Sequence, residues 1–327
     1  MHISRHCTPL ALTALAGCAI TASHTRAAII NWTSASGGTA TTLTNWSPQA
    51  LPTASDTINF NIVGGYIVTW GAGAPSTVTN LHVGTSNAGF NFVTPLTVTG
   101  DCIIQNVSSS AGGASTISSG TLTVANLAVG AAPHPTVGGQ FHINGATAHL
   151  NVNNSCILGS ANTALLRVLA GASMNSSTTV RVGATANGTM VVSGAVGAPA
   201  DRSTLQLTGA ANSLRVGDGS QGSLTISDGA LATMSGDAFA GPVSGVQGSI
   251  TVTGSTGGLD ATLTIPGNLY IANNNAASAA GVGTVRIQPG SSVSVAGQTI
   301  VGDSSPSSGL LEVSGGTFLT HGLVASG

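Results

Sequence analysis

Charged side chains are scarce in this sequence. They make up 5% of the 327 residues, lysine is absent, and Glu312 is the only glutamate. So few ionisable groups leave little material for general acid–base catalysis, and we expect a protein that is not an enzyme. The sequence also lacks the basic stripe that binds a phosphate backbone, so we expect no nucleic-acid partner.

Long apolar runs are absent after the N-terminus. No such run reaches the roughly 18 to 20 residues of a membrane-spanning helix, so we expect no membrane span in the mature chain. Residues 1–27 instead have the pattern of an export signal, with an apolar stretch from Leu10 to Ile20 and a small-x-small site that ends at Ala27. The mature protein would then begin at Ala28 and reach the extracellular space or the cell surface.

Cysteine is rare, with four residues, and two of them lie in the export signal. The segment LAGC that ends at Cys18 fits a bacterial lipobox, so the alternative to free secretion is an outer-membrane lipoprotein anchored by lipid on Cys18. The other two, Cys102 and Cys156, have similar surroundings (DCIIQN and SCILGS). They either form a disulfide or fill equivalent buried places in neighbouring repeats. The cysteine and histidine spacings of a zinc site are absent, and we expect no metal or cofactor.

Glycine is abundant, with 46 residues, and it marks a repeat. Six phrases combine a glycine with an alternating strand: GTLTVAN from Gly120, GTMVVSG from Gly188, GSLTISDG from Gly222, GSITVTG from Gly248, GTVRIQPG from Gly283 and GLLEVSGG from Gly309. Short strands that end in an apolar–glycine step, such as VRVG and LRVG, lie between them. Such alternation is typical of a strand with one buried face, and the glycines supply sharp turns.

These short strands, with no helical pattern between them, predict an all-β fold. Each turn of chain can bury its apolar face only against the next turn, so a core requires a stack of repeats. We expect a right-handed parallel β-helix, with a β-sandwich as the alternative. Residues 28–75 hold all three tryptophans and should form an N-terminal β cap, and residues 76–327 form the repeat region. The last phrase stops inside a repeat, as expected of a chain truncated at its C-terminus.

The repeat phrases resemble those of a known group of proteins. LRVGDGSQGSLTISDGALATMSG, from Leu214, and GTVRIQPGSSVSVAGQTIVG, from Gly283, are similar to the repeats of autotransporter passengers and PEP-CTERM-associated bacterial surface proteins. The resemblance implies a secreted or surface-displayed β-helical stalk or adhesin-like protein, with no catalytic residues to carry over. The anchoring modules of these families do not occur in this sequence.

The alternative function is the binding or degradation of polysaccharides, because lyases and hydrolases of this class often have a β-helical fold. Hydrolysis needs two carboxylates about 5 to 9.5 Å apart, and a lyase needs an acid with a basic partner. The local acid–base groupings are Asp201 with Arg202 and Arg215 with Asp218. Each is explained more simply as a turn or an exposed ion pair.

Two sets of side chains are candidates for contact with a glycan. Trp32, Trp46 and Trp70 would form a stacking platform for sugar rings, or else close the first coil as a cap. Arg181 and Arg215 occupy equivalent places in VRVG and LRVG and should point outward, either as exposed charge that keeps the protein soluble or as a cationic ridge for an acidic glycan. The sequence therefore predicts a non-catalytic, exported scaffold or adhesin-like protein whose partners are extracellular polysaccharides or cell-surface components.

Overall fold

The protein is a β-solenoid in which mostly parallel strands stack into about ten turns. A computed structural model describes residues 27–84, 86–105, 114–131, 138–194, 201–209, 212–243, 245–272, 281–302 and 307–325. Most of the predicted export signal, including Cys18, lies outside these ranges. The parallel pairing confirms the β-helical prediction and excludes the β-sandwich, because sandwiches of that kind are built from antiparallel sheets.

The described ranges contain 29 strands and one short 3-10 helix, Leu43–Asn45. The first fifteen strands are β1 (Ile29–Trp32), β2 (Gly38–Thr39), β3 (Trp46–Ser47), β4 (Thr57–Phe60), β5 (Gly64–Trp70), β6 (Thr77–Val78), β7 (Asn80–Val83), β8 (Ser86–Phe92), β9 (Leu96–Ile104), β10 (Ser115–Val129), β11 (Gly139–Asn144), β12 (Ala148–Leu158), β13 (Ala164–Leu169), β14 (Ser173–Ser176) and β15 (Val180–Val182). The remaining strands are β16 (Gly188–Ser193), β17 (Thr204–Leu207), β18 (Asn212–Val216), β19 (Gly222–Ser227), β20 (Leu231–Thr233), β21 (Asp237–Ala240), β22 (Gln247–Thr253), β23 (Ser255–Thr256), β24 (Leu259–Ile265), β25 (Leu269–Ile271), β26 (Val282–Ile287), β27 (Ser291–Val301), β28 (Ser308–Val313) and β29 (Thr317–Ala325).

The parallel pairings divide these strands into three columns that run along the solenoid axis. Column 1 contains β2, β5, β8, the start of β10, β11, β13, β16, β19, β22, β26 and β28. Column 2 contains β6, β9, β10, β12, β14, β17, β20, β24, β27 and β29. Column 3 contains β1, β4, β7, the ends of β9, β10 and β12, then β15, β18, β21, β25 and the ends of β27 and β29.

The alternation of apolar and polar residues places the core inside each coil. In β19, Leu224 and Ile226 are buried, whereas the serine and threonine beside them face outward. Leu224 lies in register with Met190 of the preceding coil and Ile250 of the following one. Burial of one such side chain contributes about 1.5–3 kcal/mol. The core is therefore a continuous stack of apolar side chains, as the repeat predicts.

Two glycines form the corner that leads from column 3 to column 1. Gly183 has a φ of +74°, a conformation that residues with a Cβ rarely adopt. Gly188 begins the next column 1 strand, and a Cβ there would lie 2.3 Å from the amide nitrogen of Gly183. Gly217 and Gly222 make the same corner one coil later. Ala272 stands at such a corner with a φ of +58°, where other coils have glycine.

The last described coil has a less complete core. Leu319 and Leu323 of β29 are each 59% exposed, and Val313 of β28 is 46% exposed. In the described part of the chain no further strand pairs with the outer edge of β28 or β29. The apolar side chains of this coil are therefore covered from one side only.

Candidate functional site

The three tryptophans lie inside the first coils. Trp32, Trp46 and Trp70 are between 1% and 2% exposed, and each indole N–H donates a hydrogen bond of 2.7–2.8 Å to a backbone carbonyl oxygen. Trp32 and Trp46 pack edge to face, with ring centroids 4.9 Å apart. The rings thus have no face open to a sugar. This burial corrects the expectation of a stacking platform and shows that the tryptophans fill the core.

The two arginines of the expected ridge are neighbours on the outside of column 3. Arg181 on β15 and Arg215 on β18 are in direct register. Both donate from Nε to the carboxylate of Asp218, whose side chain is 5% exposed, whereas those of the arginines are 42% and 26% exposed. Asp218 stabilises two like charges that would otherwise repel each other. The cluster keeps a net positive charge at the surface.

Two aromatic side chains continue this row, and the sequence reasoning missed them. The guanidinium carbon of Arg215 lies 5.2 Å from the ring centroid of Phe239, within the range of a cation–π contact. Phe239 in turn stacks on Tyr270, with centroids 4.7 Å apart and planes inclined by 6°. Alignment of the corners would have found the row, because each member lies two positions before a corner glycine or before Ala272. We call Arg181, Arg215, Phe239 and Tyr270 the arginine–aromatic row.

The second acid–base grouping lies elsewhere in the coil. Arg202, just before β17, donates to the carbonyl oxygens of Gly229, Ala230 and Asp260 at 2.5–3.0 Å, and so joins three consecutive coils. Burial lowers the pKa of its guanidinium, and the charge of Asp260 opposes that shift. The structure therefore places Arg202 at the corner between columns 1 and 2, on a different side of the coil from the Arg215–Asp218 pair.

The two cysteines of the repeat region are buried and free. Cys102 and Cys156 each pair in register with Leu127, which belongs to the coil between them. Strands two rungs apart are separated by about 9–10 Å, which exceeds the roughly 7 Å that a disulfide tolerates between Cα atoms. This placement corrects the disulfide alternative. Burial raises the pKa of each thiol to about 12, and the charge of Asp101 adds to the shift at Cys102.

Two further features are absent from the described ranges. There, no group of three or more His, Cys, Asp or Glu side chains is arranged to hold a metal ion. The same ranges contain no helix of the length and apolarity needed to cross a membrane.

Comparison with known proteins gives no relative. No protein-family model, curated protein or solved structure matches the chain. Its function therefore has to be inferred from the fold and from the contacts of its side chains.

Proposed function

We propose that the protein is a non-catalytic, exported repeat protein that acts as a structural or adhesin-like scaffold at the cell surface or outside the cell. The stack itself supports this role. A solenoid rises about 4.8 Å per coil, so about ten coils span roughly 50 Å along the axis. Its outer surface offers many small polar side chains over a large area, which suits contacts spread along the length of the molecule.

The observation that carries the proposal is that several carboxylates bind groups of neighbouring coils. Oδ1 of Asp237 accepts a 2.7 Å hydrogen bond from the backbone N–H of Asn268 in the next coil. Oδ2 of Asp228 accepts a 2.8 Å bond from the hydroxyl of Ser193 in the preceding coil. Asp101 and Glu312 bind side chains of neighbouring coils in the same way. These acidic groups thus connect coils, a role in stability rather than in chemistry on a substrate.

The basic groups support the same proposal. A lyase or hydrolase would need an acid and a base that converge on bound substrate. Arg215 and Asp218 bind each other, and Arg202 binds backbone carbonyl oxygens of other coils. The resemblance of the repeat phrases to autotransporter passengers and PEP-CTERM-associated proteins favours surface display in addition.

One contact near the N-terminus favours export with cleavage after Ala27. The backbone nitrogen of Ala28 donates a 2.8 Å hydrogen bond to Oδ1 of the buried Asp56. Cleavage after Ala27 would convert this nitrogen into an ammonium group and the hydrogen bond into an ion pair. A bond to a charged donor is about twice as strong as a neutral one.

The absence of catalysis is tested by incubating the purified mature chain with neutral and acidic polysaccharides. We expect no new reducing ends and no unsaturated products, with a known lyase and a known hydrolase as positive controls. Turnover that survives purification and is lost in Arg215→Gln would overturn the proposal.

Export is tested by expressing the full chain in a bacterial host and sequencing the N-terminus of the protein outside the cytoplasm. We expect the sequence to begin at Ala28. A mature chain that begins with lipid-modified Cys18 would establish the lipoprotein alternative, and an unprocessed cytoplasmic chain would refute export.

A further inference from the structure

A groove lined by polar, small and apolar residues runs along the outside of column 1. Two adjoining depressions form it, and they share Thr189. The groove extends from the coil of β11 to the coil of β22, a distance of about 19 Å over four strand spacings. It lies next to the glycine corners, where the chain turns from column 3 into column 1.

The lining of the groove repeats over the three coils of β16, β19 and β22. Its floor carries Thr189, Ser223 and Ser249, which lie in register, one per coil. Its wall carries the amides Asn187, Gln221 and Gln247, each of which directly precedes a corner glycine of its coil. Amides and hydroxyls both donate and accept hydrogen bonds. Carboxylates are absent among the described residues that line the groove.

One end of the groove holds a cation without a counter-ion. Arg167 lines this end, and its side chain forms no ion pair or hydrogen bond with the described residues. The other four arginines in the described ranges are all engaged: Arg181 and Arg215 with Asp218, Arg202 with carbonyl oxygens, and Arg286 with Glu312. Arg167 is therefore the guanidinium that remains available to an acidic ligand.

A second group beside Arg167 also lacks a partner. His142 lies in register with Arg167 on the neighbouring strand, and its Nε2 is buried with no hydrogen-bond partner in the described part of the chain. Burial lowers the pKa of His142, and the charge of Arg167 lowers it further. An anion bound at Arg167 would offset that second effect, so the histidine can report on binding.

We propose that this groove binds a linear polysaccharide that carries carboxylate groups. A carboxylate pairs with Arg167, and the hydroxyls of the following sugars exchange hydrogen bonds with the repeated amides and hydroxyls. The regular strand spacing of about 4.8 Å presents equivalent donors and acceptors at intervals close to the advance of an extended sugar chain. This proposal is independent of the scaffold role, because the purified chain can bind a polysaccharide whether or not it is displayed at the cell surface.

The test is calorimetric titration of the mature chain with tetragalacturonate at low salt, with cellotetraose as the uncharged probe of equal length. We expect tetragalacturonate to bind and Arg167→Gln to weaken its binding about tenfold or more, as loss of a charged hydrogen bond requires. Ser223→Asp, which introduces a carboxylate into the floor, should also weaken it. Arg286→Gln is the matched control, since Arg286 lies in the same outward row as Arg167 but outside the groove.

The outcomes separate the alternatives. NMR titration measures the pKa of His142 with and without tetragalacturonate. A higher pKa in the presence of tetragalacturonate supports binding at the Arg167 end. Failure of tetragalacturonate to bind refutes the proposal, as does an equal loss of affinity in Arg167→Gln and Arg286→Gln. Equal binding of cellotetraose, undisturbed by Arg167→Gln, refutes the preference for an acidic chain. None of these failures bears on the catalytic test or the export test of the scaffold role.

Discussion

Gly222 stands directly against Gly217: a Cβ atom at Gly222 would lie 2.2 Å from the amide nitrogen of Gly217 and 2.4 Å from the carbonyl oxygen of Val182. That nitrogen and that oxygen form a 2.8 Å hydrogen bond between neighbouring coils. A side chain at position 222 would therefore separate two groups that join the coils.

The first prediction concerns this corner. Gly222→Ala should lower the free energy of unfolding by about 1–3 kcal/mol, the usual cost of overpacking. Gly65→Ala is the control, because Gly65 is exposed and a Cβ there would meet nothing within 4 Å. Denaturant titration of both variants measures the difference. Equal stability of the two would show that the corner does not require glycine.

The second prediction concerns the carboxylate shared by Arg181 and Arg215. Asp218→Asn should cost about 1–2 kcal/mol of unfolding free energy, less than the roughly 3–5 kcal/mol of a fully buried pair, because both guanidinium groups are partly exposed. Glu312→Gln breaks an exposed pair and should cost much less. Added salt should reduce the difference in unfolding free energy between Asp218→Asn and the wild type, because it screens the repulsion between Arg181 and Arg215. A gap that is absent, or that salt widens, would contradict this account.

The third prediction concerns acid stability. Burial raises the pKa of Asp56, but hydrogen bonds from the backbone nitrogen of Ala28 and from the hydroxyl and nitrogen of Thr53 lower it more, so this pKa lies below the ordinary value of 3.8. Its stabilising contribution is present above pH 3.8 and is lost as the pH falls through the folded-state pKa. Asp56→Ala should therefore destabilise the protein at pH 7 and lose this effect towards pH 2. Denaturation curves across this range test it, and a cost independent of pH would contradict it.

The fourth prediction concerns the buried thiols. With pKa values of about 12, Cys102 and Cys156 should resist alkylation by iodoacetamide at pH 8 in the folded protein and react after unfolding. Burial favours the neutral thiol, so this contribution to stability is complete below the ordinary pKa of 9.0 and is lost as the pH rises towards 12. Mass spectrometry counts the modified cysteines, and rapid labelling of the native chain would contradict their burial.

The fifth prediction concerns the tryptophans. Emission from Trp32, Trp46 and Trp70 should be blue-shifted and poorly quenched by acrylamide, because all three rings are buried. Glycans, including tetragalacturonate, should leave this emission unchanged, since the groove lies in later coils. Unfolding in guanidinium chloride supplies the fully exposed reference. Quenching of the tryptophan emission by any glycan would show that the rings contact sugars, as the stacking-platform hypothesis requires.

The repeat predicted the fold because each feature of it has a local cause. Alternating residues determine which side chains face inward, so the six residues GSLTIS are enough to predict that Leu224 and Ile226 face the core, where the structure has them. The corner glycines could be predicted in the same way, because a sharp turn needs a positive φ and glycine adopts it most readily. The φ angles are +74° at Gly183 and +78° at Gly217. These are properties of one coil, and one coil is short enough to interpret from the sequence.

The candidate sites were harder to predict because they depend on which coils are neighbours. DCIIQN and SCILGS look like adjacent repeats, yet the coil of Leu127, which lacks cysteine at this position, lies between Cys102 and Cys156. The groove combines residues from five coils, and its polar members are ordinary residues of their own phrases. Two similar phrases occupy equivalent positions in their coils, but their similarity does not show that the two coils are neighbours.

The corner glycines Gly188, Gly222, Gly248 and Gly283 stay in register although unequal numbers of residues separate them. The corner therefore restores the register of the chain in each of these coils, whatever the length of the loops between them. We expect insertions and deletions within those loops to leave the register of later coils unchanged. The number of residues in a coil can therefore differ along the molecule while the three columns of its cross-section stay aligned.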